Sequence, residues 1–104
     1  MKKFTIDVVR GKNLAKLKVG AGFTVNDRDV FIKFCGKLLD SKKDNLIIDL
    51  TSVQYISSSL CAPIFDIHFE AKDRGKLLTV LCNEKLETRF AEVGIAKMLP
   101  IRVM

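Results

Sequence analysis

Two short segments, Leu46-Ile-Ile-Asp-Leu50 and Leu77-Leu-Thr-Val-Leu-Cys82, are almost continuously apolar, and the stretch between them repeats apolar residues at helical spacing. A strand that meets water on one face alternates apolar and polar side chains, so the unbroken runs read as central strands covered on both faces. From about Ser58 to Asp73, the residues Leu60, Ile64, Ile67 and Ala71 form one stripe, closed by Arg74-Gly75 as a glycine cap. Strand, helix and strand in that order require parallel strands joined by a right-handed crossover. A βαβ unit of this kind commits the chain to an α/β architecture.

The flanking segments complete it. Residues 4–9 and 14–19 alternate, with Ala15, Leu17 and Val19 on one side and Lys16 and Lys18 on the other, and Arg10-Gly-Lys-Asn13 makes a turn between them. This predicts an antiparallel hairpin. After a flexible turn at Gly20-Ala-Gly22, Asn26 or Asp27 is placed to cap a helix running to about Leu39, with Phe31, Phe34, Cys35 and Leu38 as its buried stripe. Asp40-Ser-Lys-Lys-Asp-Asn45 is a polar loop. A last helix starts at Asn83 or Glu84, carries Leu86, Phe90 and Val93, and ends at Gly94. Ile95 to Pro100 is a connection, and Ile101–Val103 an edge strand. The expected fold is one α/β sandwich over residues 1–104: a mixed sheet, made of the N-terminal hairpin and the parallel βαβ strands, with about three helices.

Length and composition set the function classes. A chain of 104 residues holds one domain with a core of its own, without needing disulfides or a structural metal. Its longest apolar runs are a few residues, against the ~20 that a membrane-spanning helix requires, so no membrane insertion is expected. Asp7 falls where a signal peptide would need an unbroken apolar stretch, which points to the cytoplasm. Cys35, Cys61 and Cys82 are odd in number, far apart and set in apolar surroundings, so they read as buried free thiols. The net charge of +6 is spread from Lys2 to Arg102 without aromatic residues interleaved, the pattern of a solvated basic surface and not of a direct nucleic-acid site.

The chemistry concentrates in Ser57-Ser58-Ser59, just after the first apolar strand and at the mouth of the central helix. Helix starts leave N–H groups unbonded and carry partial positive charge, so they suit hydroxyl caps and phosphate alike. Two readings stand side by side: one hydroxyl caps the helix while its neighbours face water, or the segment is a site of reversible phosphorylation. Pro63 is read as a first-turn proline, with the helix beginning near Ser59.

Other residues invite enzymatic readings that spacing removes. A Ser58, His68, Asp49 triad fails because ten residues of helix separate Ser58 from the only histidine by ~15 Å, and no Gly-x-Ser-x-Gly is present. Asp49 has no second acid or ligand spaced with it, and reads as a carboxylate satisfied by backbone donors at the strand end. Gly20-Ala-Gly22 lacks the lysine and following helix of a phosphate loop. No catalytic residue, metal or cofactor is implied.

Two stretches resemble a known family. Ile48-Asp-Leu-Thr-Ser-Val-Gln-Tyr-Ile56 and the serines after it are similar to the apolar strand, Asp-Leu-Ser, aromatic-Ile and Asp-Ser-Ser-Gly of the STAS domain. Phe90-Ala-Glu-Val-Gly-Ile-Ala-Lys-Met-Leu-Pro-Ile101 resembles its closing helix, Gly-hydrophobic step and final Leu-Pro-Ile. STAS domains include bacterial anti-sigma factor antagonists and the tails of sulfate transporters. In the antagonists the first serine after the motif aspartate is phosphorylated by a partner that is both kinase and anti-sigma factor, and a phosphatase reverses the change. That serine maps onto Ser58, with Ser57 and Ser59 as the neighbouring acceptors. The resemblance implies a non-catalytic partner-switching protein that binds through Tyr55, Ser57, Ser58, Ser59 and Leu60. Ser57 stands where the motif has aspartate, and Leu60 where it has glycine, which would add bulk at a point of close approach. The alternative is a constitutive STAS scaffold or a transporter-associated subunit without phosphorylation.

Overall fold

The structure is a computed structural model that describes residues 3–94 and 96–104. The expectations touching Met1, Lys2 and Ile95 lie outside the described residues.

Alternation in the first segments produces two paired strands, β1 (Phe4–Val9) and β2 (Leu14–Val19), antiparallel with Phe4 opposite Val19 and Val9 opposite Leu14. Helix α1 (Arg28–Asp40) leads to β3 (Asn45–Asp49), α2 (Ser58–Asp73) to β4 (Leu77–Cys82), and α3 (Glu84–Glu92) to β5 (Ile101–Val103). The sheet order is β1-β2-β3-β4-β5, and every pair after the first is parallel. Each parallel strand lies beside its predecessor, so every right-handed crossover returns over the same face and the three helices share one side.

That side is the core. Ala15, Leu17 and Val19 of β2, Leu46 and Ile48 of β3, and Leu78, Val80 and Cys82 of β4 are buried against Phe31, Leu38, Ile64, Ile67, Leu86 and Phe90 of the helices. The opposite face carries Lys16, Ile47, Thr79 and Leu81, all partly exposed, and Leu77 is 65% exposed. The expected cover on both faces is therefore corrected to cover on one. Ile47, Leu77 and Leu81 hid the alternation because apolar side chains also suit the open face of a pleated sheet.

Several local predictions are refined. Helix α1 is preceded by a 3-10 turn, Val25–Asp27; Asp27 stands at the N-cap position of α1, but its carboxylate reaches back to accept the Thr24 N–H at 2.8 Å and makes no cap bond to α1 itself. The glycine turn is pinned: Gly20 N–H donates to the Lys3 carbonyl at 2.6 Å and Phe23 N–H to the Gly20 carbonyl at 3.3 Å. Gly75, at φ 72°, ends α2 with Lys76 N–H on the Ala71 carbonyl (2.8 Å) and Gly75 N–H on the Lys72 carbonyl (3.1 Å), a double closure that needs the left-handed conformation. Pro63 lies deeper than the first turn, since α2 begins at Ser58. It removes the N–H that would bond the Ser59 carbonyl, and the Arg28 Nε takes that carbonyl instead at 3.4 Å.

Phe31 is fully buried, with ring centroids 6.1 Å from Phe4 and 5.0 Å from Phe23, joining α1 to the hairpin and the glycine turn. We predict that Phe31→Ala lowers the unfolding free energy by about 3–5 kcal/mol, read from urea denaturation.

Candidate functional site

Strands β2, β3 and β4 run parallel, so their C-terminal ends meet at one edge of the sheet, where α/β folds commonly place binding sites. The loop Leu50 to Ile56, the start of α2, the glycine turn and Asn83 gather there.

The Leu50 to Ile56 loop is anchored by side chains. At its start Asp49 Oδ1 accepts the Thr51 N–H at 3.0 Å and the Thr51 hydroxyl at 2.6 Å, while Oδ2 lies 3.7 Å from Lys16 Nζ. Burial alone would raise the Asp49 carboxyl. The two Thr51 bonds and the Lys16 and Lys18 charges outweigh it and hold the pKa below the ordinary 3.8. Farther along, Asn83 serves two elements at once. Its Oδ1 caps α3 by accepting the Leu86 N–H at 2.9 Å, and its Nδ2 donates to the Thr51 and Val53 carbonyls at 3.0 and 2.8 Å. Arg89 completes the anchor: Nε donates to the Ile56 carbonyl at 3.3 Å, Nη2 to the Tyr55 hydroxyl at 3.2 Å, and the guanidinium lies 5.0 Å from the Tyr55 ring centroid. Val53 and Ile56 point into the core.

Ser57 is the residue before the first turn, in extended conformation, and its carbonyl accepts the Leu60 N–H at 3.0 Å. Its hydroxyl pairs with that of Ser59 at 3.0 Å and makes no bond to a helix amide. Ser58 and Ser59 are exposed and open the helix, and their N–H groups have no backbone acceptor. Beside them is an open groove of about 320 Å³ bounded by Phe23, Val25, Gln54, Tyr55, Ser57 and Leu60. Val25 and Tyr55 of this lining stand exposed, at 52% and 62%.

Of the sequence-derived site residues, Tyr55, Ser57, Ser58 and Ser59 reach the surface here. Leu60 does not: it is 1% exposed, part of the apolar core at the groove floor, so its bulk faces inward and not toward an approaching surface. His68 lies ten residues into α2 with its ring tilted against Phe69 (centroids 5.3 Å), and Asp49 faces Thr51 and Lys16, so no triad forms. Cys35, Cys61 and Cys82 are buried and free, and burial pushes the Cys35 thiol up to about 12 and Cys82 to about 11. Arg28, Asn83 and Arg89 were not visible as site residues. Asn83 showed in sequence as a helix cap, but its two further bonds depend on loop residues 30 and 32 positions away.

No protein-family model and no curated protein matches the chain in sequence. Solved structures match its backbone. The crystal structure of an anti-sigma factor antagonist from Mycobacterium paratuberculosis gives a TM-score of 0.78 at 14% identity, covering 94% of this chain and 82% of that one. The fold is STAS-like. The NMR structure of the protein TM1081 likewise gives 0.78 at 17% identity, covering 100% of this chain and 83% of that one. Within this STAS-like fold the serine segment occupies a strand-to-helix corner, and among the described residues no helix is long and apolar enough to cross a membrane.

Asn83→Asp keeps the acceptor for Leu86 but loses both donors to the loop and sets a carboxylate against two carbonyls. It should cost about 1–3 kcal/mol in urea denaturation. A carboxyl whose pKa is lowered on folding stabilises above its unfolded value and loses that contribution as pH falls through the folded one. The stability gap between wild type and Asp49→Asn should be present at pH 7 and close below pH 3.8.

Proposed function

We propose that residues 1–104 act as one STAS-like domain with a regulatory, non-catalytic role in the cytoplasm, as a partner-switching protein of the anti-sigma factor antagonist kind. The protein partner docks over Tyr55, Ser57, Ser58 and Ser59 and the adjoining groove, and a serine kinase that is itself the partner, or is encoded beside it, phosphorylates Ser58. A phosphatase restores the binding form. The observation that carries this reading is Ser58 itself: exposed, first in α2, with its own N–H and that of Ser59 open to solvent, next to Ser57, which borders an apolar groove.

The physical logic is electrostatic. A phosphate adds about −1.5 to −2 charge and three acceptor oxygens, which a helix start accommodates. A partner surface packed over it would have to desolvate that charge, and binding is lost. Catalysis belongs to the kinase and the phosphatase.

One observation favours the rival reading, a constitutive scaffold or transporter-associated subunit. Ser57 replaces the motif carboxylate, and its hydroxyl is engaged by Ser59, so a negative feature that a kinase would meet is missing. The two readings part on one experiment. Incubation with the serine kinase encoded nearest the gene, followed by mass-spectrometric mapping, should place phosphate on Ser58 and none on a Ser58→Ala variant. Absence of phosphate from Ser57, Ser58 and Ser59 alike would remove the switch and leave the constitutive module.

A further inference from the structure

Arg89 is the cation that α3 contributes beside the start of α2, and its bonds to the preceding loop fall on two consecutive residues. Nε holds the Ile56 carbonyl at 3.3 Å, Nη2 holds the Tyr55 hydroxyl at 3.2 Å, and the Tyr55 ring lies against the guanidinium. Its side chain keeps 28% of its surface in water, and its acidic neighbour Glu92 is at 4.0 Å on the exposed side of α3. The charge also reaches the first turn of α2: burial pushes the Cys61 thiol up, and Arg89 counters it.

We infer that Arg89 reads the modification state of the serine segment: it holds Tyr55 in the groove wall while Ser58 is unmodified, and moves to the phosphate once Ser58 carries one, releasing the tyrosine. The inference rests on the phospho-switch reading and adds a second consequence to it, a change in groove shape alongside the added charge.

Three considerations support the exchange. Ile56 and Ser58 are two Cα steps apart, so their Cα atoms lie within ~7.6 Å, a span that a long arginine side chain bonded at the Ile56 carbonyl can cover by changing rotamer. A guanidinium and a phosphate form bidentate, charge-assisted bonds, stronger than one bond to a neutral phenol plus a cation–π contact at an exposed ring. The other nearby cations are placed less well for the exchange. Lys85 Nζ is on the Gln54 side-chain oxygen at 3.4 Å, and Arg28 is on the Ser59 carbonyl, which in a helix points away from its start.

Tyr55 is the only tyrosine and the chain has no tryptophan, so tyrosine emission reports this ring alone. The test compares the unmodified chain with one carrying genetically encoded phosphoserine at position 58, each in wild-type, Arg89→Gln and Arg28→Gln backgrounds. In the unmodified wild type the Tyr55 anisotropy decay should follow overall tumbling. Phosphoserine should add a fast component of the same amplitude as Arg89→Gln alone, with no further change when the two are combined, and Arg28→Gln should leave the effect intact. By ³¹P NMR titration the second ionisation of the phosphate should be shifted down in wild type and not in Arg89→Gln. Arg89→Lys, which keeps charge but not the fork, should give a smaller shift and replaces the glutamine variant if that one does not fold. A phosphorylated chain whose tyrosine stays as tightly held as before, or whose ³¹P titration ignores position 89, overturns the role of Arg89. Neither readout uses a partner, so partner binding that is indifferent to phosphate would sink the switching reading without touching this result.

Discussion

Burial of one sheet face beneath three helices is the constraint from which the rest follows. With β2 to β5 parallel and adjacent in chain order, the crossovers can only stack on a single side, and the strands must deliver their C-terminal ends to a single edge. Leu17, Ile48 and Val80 at the centre of the sheet are fully buried, as are Phe31, Ile64 and Phe90 above them. Large side chains from every layer fix the helices in place, and with them the corner where β3 turns into α2.

That corner is rigid for a reason other than sheet pairing. Past Leu50, whose N–H still reaches the Leu81 carbonyl at 2.8 Å, the chain leaves the ladder. Asn83 at the cap of α3, Lys85 in its first turn and Arg89 in its last then satisfy its carbonyls and polar side chains. A buried polar backbone needs such partners, and here one neighbouring helix supplies them. The outcome is a firmly held loop that presents a helix start with open amides. A site of that kind can accept a charge without the domain unfolding around it.

Much of the architecture was legible because periodicity is a local property. The Leu60, Ile64, Ile67, Ala71 stripe, the alternation of β2 and the glycine at position 75 each name their element without reference to the rest of the chain. What stayed hidden depends on pairs distant in sequence. The open face of the sheet was masked by Ile47 and Leu81; the depth of Pro63 was resolved by the helix start at Ser58 and compensated from α1 by Arg28. Leu60 was legible in two incompatible ways, as the first residue of a buried stripe and as a surface contact, and burial decided for the stripe. The serines were legible as a helix mouth, while the Asn83 and Arg89 anchor that shapes their surroundings was not.

The proposed site depends on Ser58 and Ser59 presenting open amides at a solvated helix start. Amide hydrogen exchange by NMR tests it residue by residue on the protein alone. Open amides should exchange near the intrinsic chain rates at Ser58 and Ser59, together with strong protection at Ile64 and Ile67 in the same helix. Protection of Ser58 and Ser59 comparable to that of Ile64 would contradict it, since amides already bonded within the protein are not free to receive a phosphate or a partner.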